Sequence, residues 1–496
     1  MNTENKGVLV IYTGGTIGSM PKDPNDTASP QVVVDWNDFL DRTSVLKEGL
    51  GYRLGFAKLS VALDSCDIGP EHWTEMAEII ENNYDDYEGF VILHGTDTMV
   101  YTASALSFML ANLAKPVVLT GSQRTHLFQA RNDGLQNTIT SLSIANPKAT
   151  GIPVIPEVMI CFGTDLLRGN RSKKKDANGY IAYESPKYPN LAKIGANIEV
   201  NEARILPIPD GAFFVRKNLE LNVIDFNVFP GVVHNGVADL LFDSKSFTPK
   251  GAVVRAYGAG NIPTDEKFLA RLANASQNDP KVTMINVTQC TQGRVELGLY
   301  ETSNKLLAFG MVSGTDLTPE AAMVKLMVGL ADEDLQYDQV GLRNFLQTNQ
   351  AGEQSTSIYE MPFPTPAANL SSGKPRFRFP ADRDLPGTWE PSELEGVQLR
   401  LYGAKVTGPA EDEALEIDVY ANLSSNEEPS GPESTKFAGR FRKAPTADAS
   451  IISFDVTAAT RRLFRPGQRS SFSLILASEK GDLEWQRAEL GLFVKE

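Results

Sequence analysis

Cysteine and histidine are scarce in this chain of 496 residues, which contains three cysteines and four histidines. The three thiols, Cys66, Cys161 and Cys290, are too few and too widely spaced to form a disulfide framework. No group of cysteines and histidines has the spacing of a metal site. We therefore expect reduced thiols and no metal.

Basic residues are also in deficit, with 47 Lys and Arg against 62 Asp and Glu, which gives a formal net charge of −15. Proteins that bind nucleic acid need Lys and Arg concentrated on one surface to contact the phosphates. The charge therefore argues against a nucleic-acid partner. The run Lys173-Lys174-Lys175 is the one local exception.

Long apolar runs are missing as well. No stretch approaches the ~20 apolar residues that a membrane-spanning helix needs. Residues 1–6 contain neither an apolar signal region nor a cleavage pattern of small residues. These absences predict a cytoplasmic protein that has no membrane partner.

The first informative stretch joins four apolar residues, 8–11, to the turn Thr13-Gly14-Gly15-Thr16-Ile17-Gly18. The apolar run predicts a buried parallel strand, and ligands of open α/β sheets bind at the carboxyl ends of such strands. Glycines at that point let backbone N–H groups approach a ligand closely. Taken alone, the pattern also suits a nucleotide-binding loop or an ordinary turn.

A second stretch has the same construction. The apolar run Phe90–Leu93 leads into His94-Gly95-Thr96-Asp97-Thr98, and residues 101–112 read as a helix. Two polar turns that follow neighbouring parallel strands can face one crevice. The sequence therefore predicts a site between the Thr16 turn and the Thr96 turn.

Strand and helix patterns alternate through the first 200 residues. Residues 70–82 have an apolar stripe at helical spacing, and strands are predicted at 117–120 and 158–162. This alternation predicts an α/β domain over 1–200, whose parallel sheet has helices on both faces. After a linker at 201–220, a second α/β domain is predicted over 221–355, with strands at 252–255 and 283–287 and a helix at 319–330.

The character of the chain changes after residue 355. Residues 356–391 are rich in proline and predict an extended linker. In the following segment Leu415, Ile417 and Val419 alternate with Glu416, Asp418 and Tyr420. This period of two predicts a small all-β, sandwich-like accessory domain over 392–496.

The two turns together resemble the bacterial-type L-asparaginase family, most of all its type I, cytoplasmic branch. The resemblance extends over roughly residues 5 to 355 and includes further motifs in the same order. These are Asp64-Ser65-Cys66-Asp67, Thr120-Gly121-Ser122-Gln123, Arg168-Gly169-Asn170-Arg171, Arg255-Ala256-Tyr257-Gly258-Ala259-Gly260-Asn261 and Thr288-Gln289-Cys290.

The resemblance implies an L-asparagine amidohydrolase that forms a homodimer or homotetramer and requires no cofactor. A threonine hydroxyl is a poor nucleophile unless a base and an oxyanion site assist it. By resemblance, Thr16 attacks the side-chain amide to form a β-aspartyl acyl-enzyme, and Thr96, Asp97 and Lys174 form a relay. The substrate-binding residues implied in the same way are Gly15, Ser65, Cys66, Asp67, Thr96 and Asp97.

Two features depart from the family pattern. Relatives generally carry a tyrosine in the loop after the first turn, but residues 19–30 contain none, and the matching place is near Ala28. Arg255 and Cys290 lie in segments that resemble an allosteric asparagine site, yet Lys173 replaces an expected small hydroxyl residue there. The alternative interpretation of Arg255 and Cys290 is a buried Arg–carboxylate pair and an inert core thiol.

Two other functions stay open. The missing tyrosine favours a catalytically impaired binding or sensor protein, whereas retention of Thr16, Thr96 and Lys174 argues against it. Another amidohydrolase on the same scaffold, such as a tRNA-dependent amidotransferase subunit, would need a basic surface toward RNA. The acidic composition argues against that function.

Overall fold

The computed structural model of the chain describes residues 6–23, 26, 29–34, 50–124, 131–234, 236–242, 249–278, 281–297, 301–335, 338–361, 376–378, 394–408, 413–421, 433–443, 445–463, 473–478 and 481–494. Within these ranges, no helix is both long enough and apolar enough to cross a lipid bilayer. The residues form two α/β units followed by an all-β unit.

The first α/β domain contains the elements up to residue 200. Its strands are β1 (Val8–Gly14), β2 (Ser19–Pro21), β3 (Gln31–Val33), β4 (Leu54–Leu63), β5 (Gly89–Leu93), β6 (Leu110–Ala111), β7 (Val117–Thr120), β8 (Val158–Phe162), β9 (Asp165–Arg168), β10 (Lys173–Lys174), β11 (Tyr183–Glu184), β12 (Ala192–Ile194) and β13 (Ile198–Val200). Its helices are α1 (Pro70–Asn82), α2 (Met99–Met109), α3 (Gly134–Ala145) and α4 (Pro147–Thr150).

Eight of these strands form one mixed sheet in the order β13-β12-β9-β8-β7-β5-β1-β4. The strands from β4 to β8 pair in parallel, as the alternation of strands and helices predicts. The remaining pairs, β8·β9, β9·β12 and β12·β13, are antiparallel. Only two residues separate β8 from β9, which is too short for a parallel crossover and therefore forces a hairpin.

The side chains of β1 explain why this sheet needs helices on both faces. Leu9 and Ile11 join one hydrophobic cluster, which includes Trp73 of α1. Val8 and Val10 point to the opposite face and join a second cluster with Leu142 of α3. Burying each such side chain contributes about 1.5–3 kcal/mol, so both faces must be covered.

The second α/β domain has its own parallel sheet, in the order β15-β16-β17-β18. The strands in this part are β14 (Phe214–Val215), β15 (Val223–Asn227), β16 (Gly251–Ala256), β17 (Thr283–Thr288) and β18 (Val312–Ser313). The helices are α5 (Val237–Phe242), α6 (Glu266–Gln277), α7 (Glu301–Ala308), α8 (Pro319–Ala331) and α9 (Gln339–Gln347). Leu326 of α8 and Leu106 of α2 belong to one buried cluster, so the two α/β domains share a core.

The all-β domain consists of two antiparallel sheets, β19-β27-β21-β24 with β26 beside β21, and β20-β25-β22-β23. The strands are β19 (Thr356–Met361), β20 (Arg376–Arg378), β21 (Leu394–Thr407), β22 (Leu415–Ala421), β23 (Phe437–Lys443), β24 (Thr446–Asp455), β25 (Ser473–Ala477), β26 (Asp482–Glu484) and β27 (Arg487–Val494), with one helix, α10 (Thr457–Leu463). The predicted inward residues Leu415, Ile417 and Val419 are all fully buried.

Two details of this domain differ from the sequence pattern. Tyr420, which alternation assigns to the outer face, is buried against Ile475 and Phe437 in a small separate cluster. Strand β19 falls in the segment predicted as a linker and pairs with β27. Most of the rest of that segment, 362–375 and 379–391, lies outside the described residues, so the linker stays a prediction there.

Candidate active site

The Thr16 turn is held tightly at the carboxyl end of β1. Gly14 and Gly15 both have positive φ angles, of 107° and 77°. The amide of Gly15 donates a hydrogen bond to the carbonyl oxygen of Leu63 at 2.8 Å. A Cβ atom on Gly15 would lie 2.4 Å from the Cα of Gly95, so only glycine fits this contact. The Thr16 turn and the Thr96 turn are therefore in direct contact.

Thr16 follows these glycines in a single 3-10 turn and is partly exposed. Within the described residues its hydroxyl makes no hydrogen bond, so it is available to a ligand. Ser19 supports the turn by donating from Oγ to the carbonyl oxygen of Gly15 at 2.8 Å. Sequence reasoning gave no role to Ser19, because a serine in a polar loop carries no distinguishing signal.

Lys174 connects the predicted relay residues. Its Nζ lies 2.9 Å from Oγ1 of Thr96 and 2.7 Å from Oδ1 of Asp97. The Lys174 side chain is only 17% exposed, whereas Asp97 is 64% exposed. Of its two lysine neighbours, Lys175 instead pairs with Glu184 at 3.8 Å. The structure thus brings Thr96, Asp97 and Lys174 together.

The β10·β11 hairpin supports Lys174. Lys174 is paired in register with Tyr183, whose hydroxyl donates to the carbonyl oxygen of Thr96 at 2.5 Å. Asp176 closes the hairpin by accepting the amides of Asn178 and Gly179, and these hydrogen bonds lower the pKa of its carboxyl group. Tyr183 was missed at the sequence level because nothing local links it to Thr96, 87 residues away.

Ser65 adds a third loop to the site. A Cβ atom on Gly95 would lie 2.7 Å from the Cβ and Oγ atoms of Ser65, so these loops also touch. The amide of Asp97 donates to Oγ of Ser65 at 3.1 Å, and Thr98 Oγ1 donates to its carbonyl oxygen at 2.6 Å. Ser65 is buried, and its own hydroxyl hydrogen remains for a ligand. Cys66 follows it and is exposed.

Asp67 ends the same 3-10 turn and is exposed next to Cys66. Partial desolvation and the neighbouring carboxylate of Asp64 raise the pKa of the Cys66 thiol. A thiol with a raised pKa is a weak nucleophile at neutral pH, in keeping with a lining role. The described residues contain no group of three His, Cys, Asp or Glu side chains that could hold a metal ion.

Tyr12 does not supply the missing loop tyrosine. Its side chain is fully buried, and its hydroxyl donates to the carbonyl oxygen of Val34 at 3.1 Å. It therefore fastens the loop to the strand instead of facing a ligand. Ala28, near which the family resemblance implies a tyrosine, lies outside the described residues.

A buried chain of hydrogen bonds runs from Trp73 to the Thr96 turn and stabilises that turn. Trp73 Nε1 donates to Thr102 Oγ1 at 3.1 Å. Thr102 Oγ1 in turn lies 2.9 Å from Nε2 of His94. The other ring nitrogen of His94, Nδ1, lies 2.6 Å from the carbonyl oxygen of Gly95. The carbonyl can only accept, so His94 carries its proton on Nδ1. Nε2 then accepts from Thr102, which makes the neutral imidazole fully satisfied.

Burial lowers the pKa of His94 from 6.5 to about 4. Above pH 6.5 His94 is neutral in both folded and unfolded chains. Between pH 6.5 and pH 4 the unfolded chain takes up a proton that the folded chain does not, so stability falls as the pH falls. We expect His94 to account for a loss of about 3 kcal/mol over this window.

Urea titrations of wild type and His94→Gln between pH 7 and pH 4 measure this loss. Carboxylates titrate equally in both proteins, so the difference between the two curves isolates His94. The variant should be less stable at pH 7 and should converge on the wild type toward pH 4. Two curves that run parallel over the whole range would contradict the assignment.

The structure does not join the two proposed allosteric residues. Arg255 pairs with Asp225, Nε to Oδ1 at 2.7 Å, and this pair is only about two-thirds buried. Cys290 is exposed, so the core-thiol interpretation of it is wrong. Among the described residues no hydrogen bond or ion pair links Arg255 to Cys290.

Lys187, which sequence reasoning missed, lies near Cys290. Its ammonium group donates to the carbonyl oxygen of Leu317 at 3.3 Å, and Lys173 and Cys290 both lie within electrostatic range. Burial lowers the pKa of Lys187 to about 8.

A buried ion pair attaches this site to the second α/β domain. Arg171, three residues before Lys174, pairs with Asp316 at 2.7 Å, and both side chains are only 1% exposed. Arg171 Nε also donates to the carbonyl oxygen of Gly352 at 2.8 Å. The segment that carries Lys174 is therefore held from the neighbouring domain.

Comparison with known proteins identifies the class. Residues 7–206 match the family model described as Asparaginase, N-terminal, and residues 228–340 match the model for the Glutaminase/Asparaginase C-terminal domain. The chain belongs to the asparaginase family. Both matches end before the all-β domain begins.

The chain is 37% identical over 355 residues to L-asparaginase 1 of Escherichia coli K12, covering 71% of this chain and 98% of that protein. The crystal structure of L-asparaginase I from Vibrio cholerae is similar with a TM-score of 0.61 at 35% identity, covering 71% of this chain and 99% of that one. These similarities confirm the predicted type I branch. The 60 kDa lysophospholipase of Homo sapiens is 34% identical over 385 residues, covering 74% of this chain and 64% of that protein.

Proposed function

We propose that the chain hydrolyses L-asparagine to L-aspartate and ammonia. The observation that carries the proposal is the contact of Lys174 Nζ with Thr96 Oγ1 and Asp97 Oδ1 beside the Thr16 turn. Similarity to proteins named L-asparaginase supports the choice of substrate.

The reaction proceeds by two acyl transfers. In the first, Thr16 Oγ1 attacks the side-chain amide carbon, the C–N bond breaks, and the hydroxyl proton leaves with the amide nitrogen as ammonia. In the second, water attacks the β-aspartyl ester and releases L-aspartate, while Thr16 Oγ1 regains a proton. Thr96 and Lys174 pass these protons, because Lys174 Nζ is already hydrogen-bonded to Thr96 Oγ1.

The charged ends of the substrate determine its orientation. Lys174 occupies Oδ1 of Asp97, which leaves Oδ2 of this exposed carboxylate for the α-ammonium group. The hydroxyl of Ser65 donates to the α-carboxylate. Cys66 and Asp67 line the approach, and backbone groups at Gly15 allow close contact. This arrangement favours an amino acid over a substrate without an ammonium group.

The alternative functions predict different results in one assay. A catalytically impaired sensor would bind L-asparagine without releasing ammonia. An amidotransferase subunit would require an RNA substrate, which the net charge of −15 disfavours. A lysophospholipase activity would release fatty acid from a lysophospholipid. The homo-oligomer and the cytoplasmic location remain predictions from the sequence.

The test is ammonia release from L-asparagine by the purified chain, with L-glutamine and a lysophospholipid as comparison substrates. Lys174→Met should lower kcat about 10²- to 10⁴-fold, because it removes the proton relay. Lys175→Met is the matched control and should leave kcat nearly unchanged. No ammonia from the wild type, or equal losses in the two variants, would contradict the proposal.

A further inference from the structure

A cavity of about 420 Å³ lies between the second α/β domain and the all-β domain. It is lined on one side by Arg294, Glu296 and Leu297 and on the other by β21, β24 and β27. Tyr402 and Ile451, on the wall, pack into the hydrophobic cluster of the α/β domain, which fixes the two walls relative to each other. The volume is in the usual range for small-molecule sites.

The lining combines charged and polar side chains with apolar ones, unlike a packing gap between two apolar surfaces. It includes the side chains of Arg294, Glu296, Gln398, Arg400, Ser453 and Asp455. Residues 398, 400 and 402 of β21 alternate with the buried Leu399 and Leu401, so these side chains form the outer face of the sheet. The cavity therefore uses the face that an isolated sandwich would expose to water.

Arg400 is the residue that most clearly indicates a ligand site. Its guanidinium donates to Oε1 of Gln398, with Nη2 at 2.9 Å, and lies 5.5 Å from the ring centroid of Phe493. Within the described part of the chain, no carboxylate lies at ion-pair distance from it. Arg294, from the other wall, lies 5.1 Å from the same ring. A guanidinium group that lies against an aromatic ring binds carboxylates well, because two of its N–H groups can pair with the two carboxylate oxygens.

The acidic residues restrict the ligand further. Glu296 accepts from Arg294 Nε at 2.8 Å, and Asp455 accepts from the amide of Thr457 at 3.0 Å. Among the lining residues that the structure describes, two arginines and two carboxylates balance in charge. A polyanion such as a nucleoside triphosphate would meet both carboxylates, whereas a zwitterion can pair with groups of both signs.

We propose that this cavity binds a small α-amino acid, with its carboxylate on Arg400 and its ammonium group near Glu296 and Asp455. The site is distinct from the catalytic crevice and belongs to both domains. The inference does not depend on the activity proposed above.

A thermal-shift screen of the twenty standard amino acids tests the proposal on the full chain. The shift in Tm that each amino acid causes is measured for Arg400→Met and for Arg442→Met. The second variant is a control that removes an exposed arginine of β23 paired with Glu416. A ligand that binds in the catalytic crevice should raise the Tm of both variants equally, so it produces no difference between them. At least one amino acid should raise Tm for the control and wild type but not for Arg400→Met.

Calorimetry with that amino acid should give at least tenfold weaker binding for Arg400→Met than for Arg442→Met. Its analogue without the amino group should bind the wild type more weakly, and Glu296→Gln should remove this difference. The proposal is overturned if no amino acid distinguishes Arg400→Met from the control. It is also overturned if inorganic phosphate or acetate distinguishes them while every amino acid fails to. Circular dichroism of both variants establishes that they are folded.

Discussion

Thr16→Ala is expected to lower kcat for ammonia release from L-asparagine by at least about 10⁴-fold, because it removes the proposed nucleophile. The turn itself should survive. Gly14 and Gly15 fix its backbone, and Thr16 makes no side-chain hydrogen bond within the described residues. The loss should therefore appear in kcat with little change in Tm, measured by a coupled ammonia assay and by calorimetric unfolding.

Two controls separate chemistry from folding. Thr16→Ser keeps a hydroxyl at the same atom and should retain measurable turnover. Thr74→Ala removes a threonine hydroxyl of α1 that bonds to the carbonyl oxygen of Pro70, and should change kcat by less than about twofold. If Thr16→Ala retained more than about one hundredth of the wild-type kcat, another group would be the nucleophile.

Lys325→Met is expected to lower the free energy of unfolding by about 3–5 kcal/mol. Lys325 of α8 pairs with Glu353 at 2.6 Å, and both side chains are fully buried. Burial lowers the pKa of Lys325, whereas the carboxylate of Glu353 favours the charged form of Lys325. Methionine fills a similar volume but leaves the carboxylate of Glu353 buried without its cation, and that uncompensated charge causes the loss.

The matched control is Lys250→Met, since Lys250 pairs with Glu220 at 2.6 Å but is 60% exposed. Water and salt screen that pair, so the free energy of unfolding should change by no more than about 1 kcal/mol. The double variant Lys325→Met/Glu353→Gln should recover part of the loss, because it removes the unpaired charge. Equal effects of Lys325→Met and Lys250→Met in urea titrations would show that burial of the ion pair does not determine the loss in the free energy of unfolding.

The apolar elements were predictable because their signal is local. The runs 117–120 and 158–162 are the observed bounds of β7 and β8, and residues 70–82 are the observed bounds of α1. A strand buried on both faces must be apolar at nearly every position, and a helix against the sheet must repeat its apolar residues at helical spacing. Neither requirement depends on distant residues.

The antiparallel edge of the large sheet was not predictable in the same way. Strands β12 and β13 have three residues each, so their alternation of apolar and charged residues is too short to identify a strand. Their pairing depends on the position of β9, which is set in turn by the two-residue connection after β8. Such short strands exist only because the neighbouring strand supplies their hydrogen bonds.

The sequence by itself determined the two glycine turns, their threonines and the family, because backbone shape and apolar burial depend on neighbouring residues. Only the tertiary structure decided which polar groups meet. Lys174 reaches Thr96 across 78 residues, and Arg171 reaches Asp316 across 145. Polar contacts between distant residues depend on a few ångströms of geometry, which arise only when the buried sheets and helices have fixed the backbone.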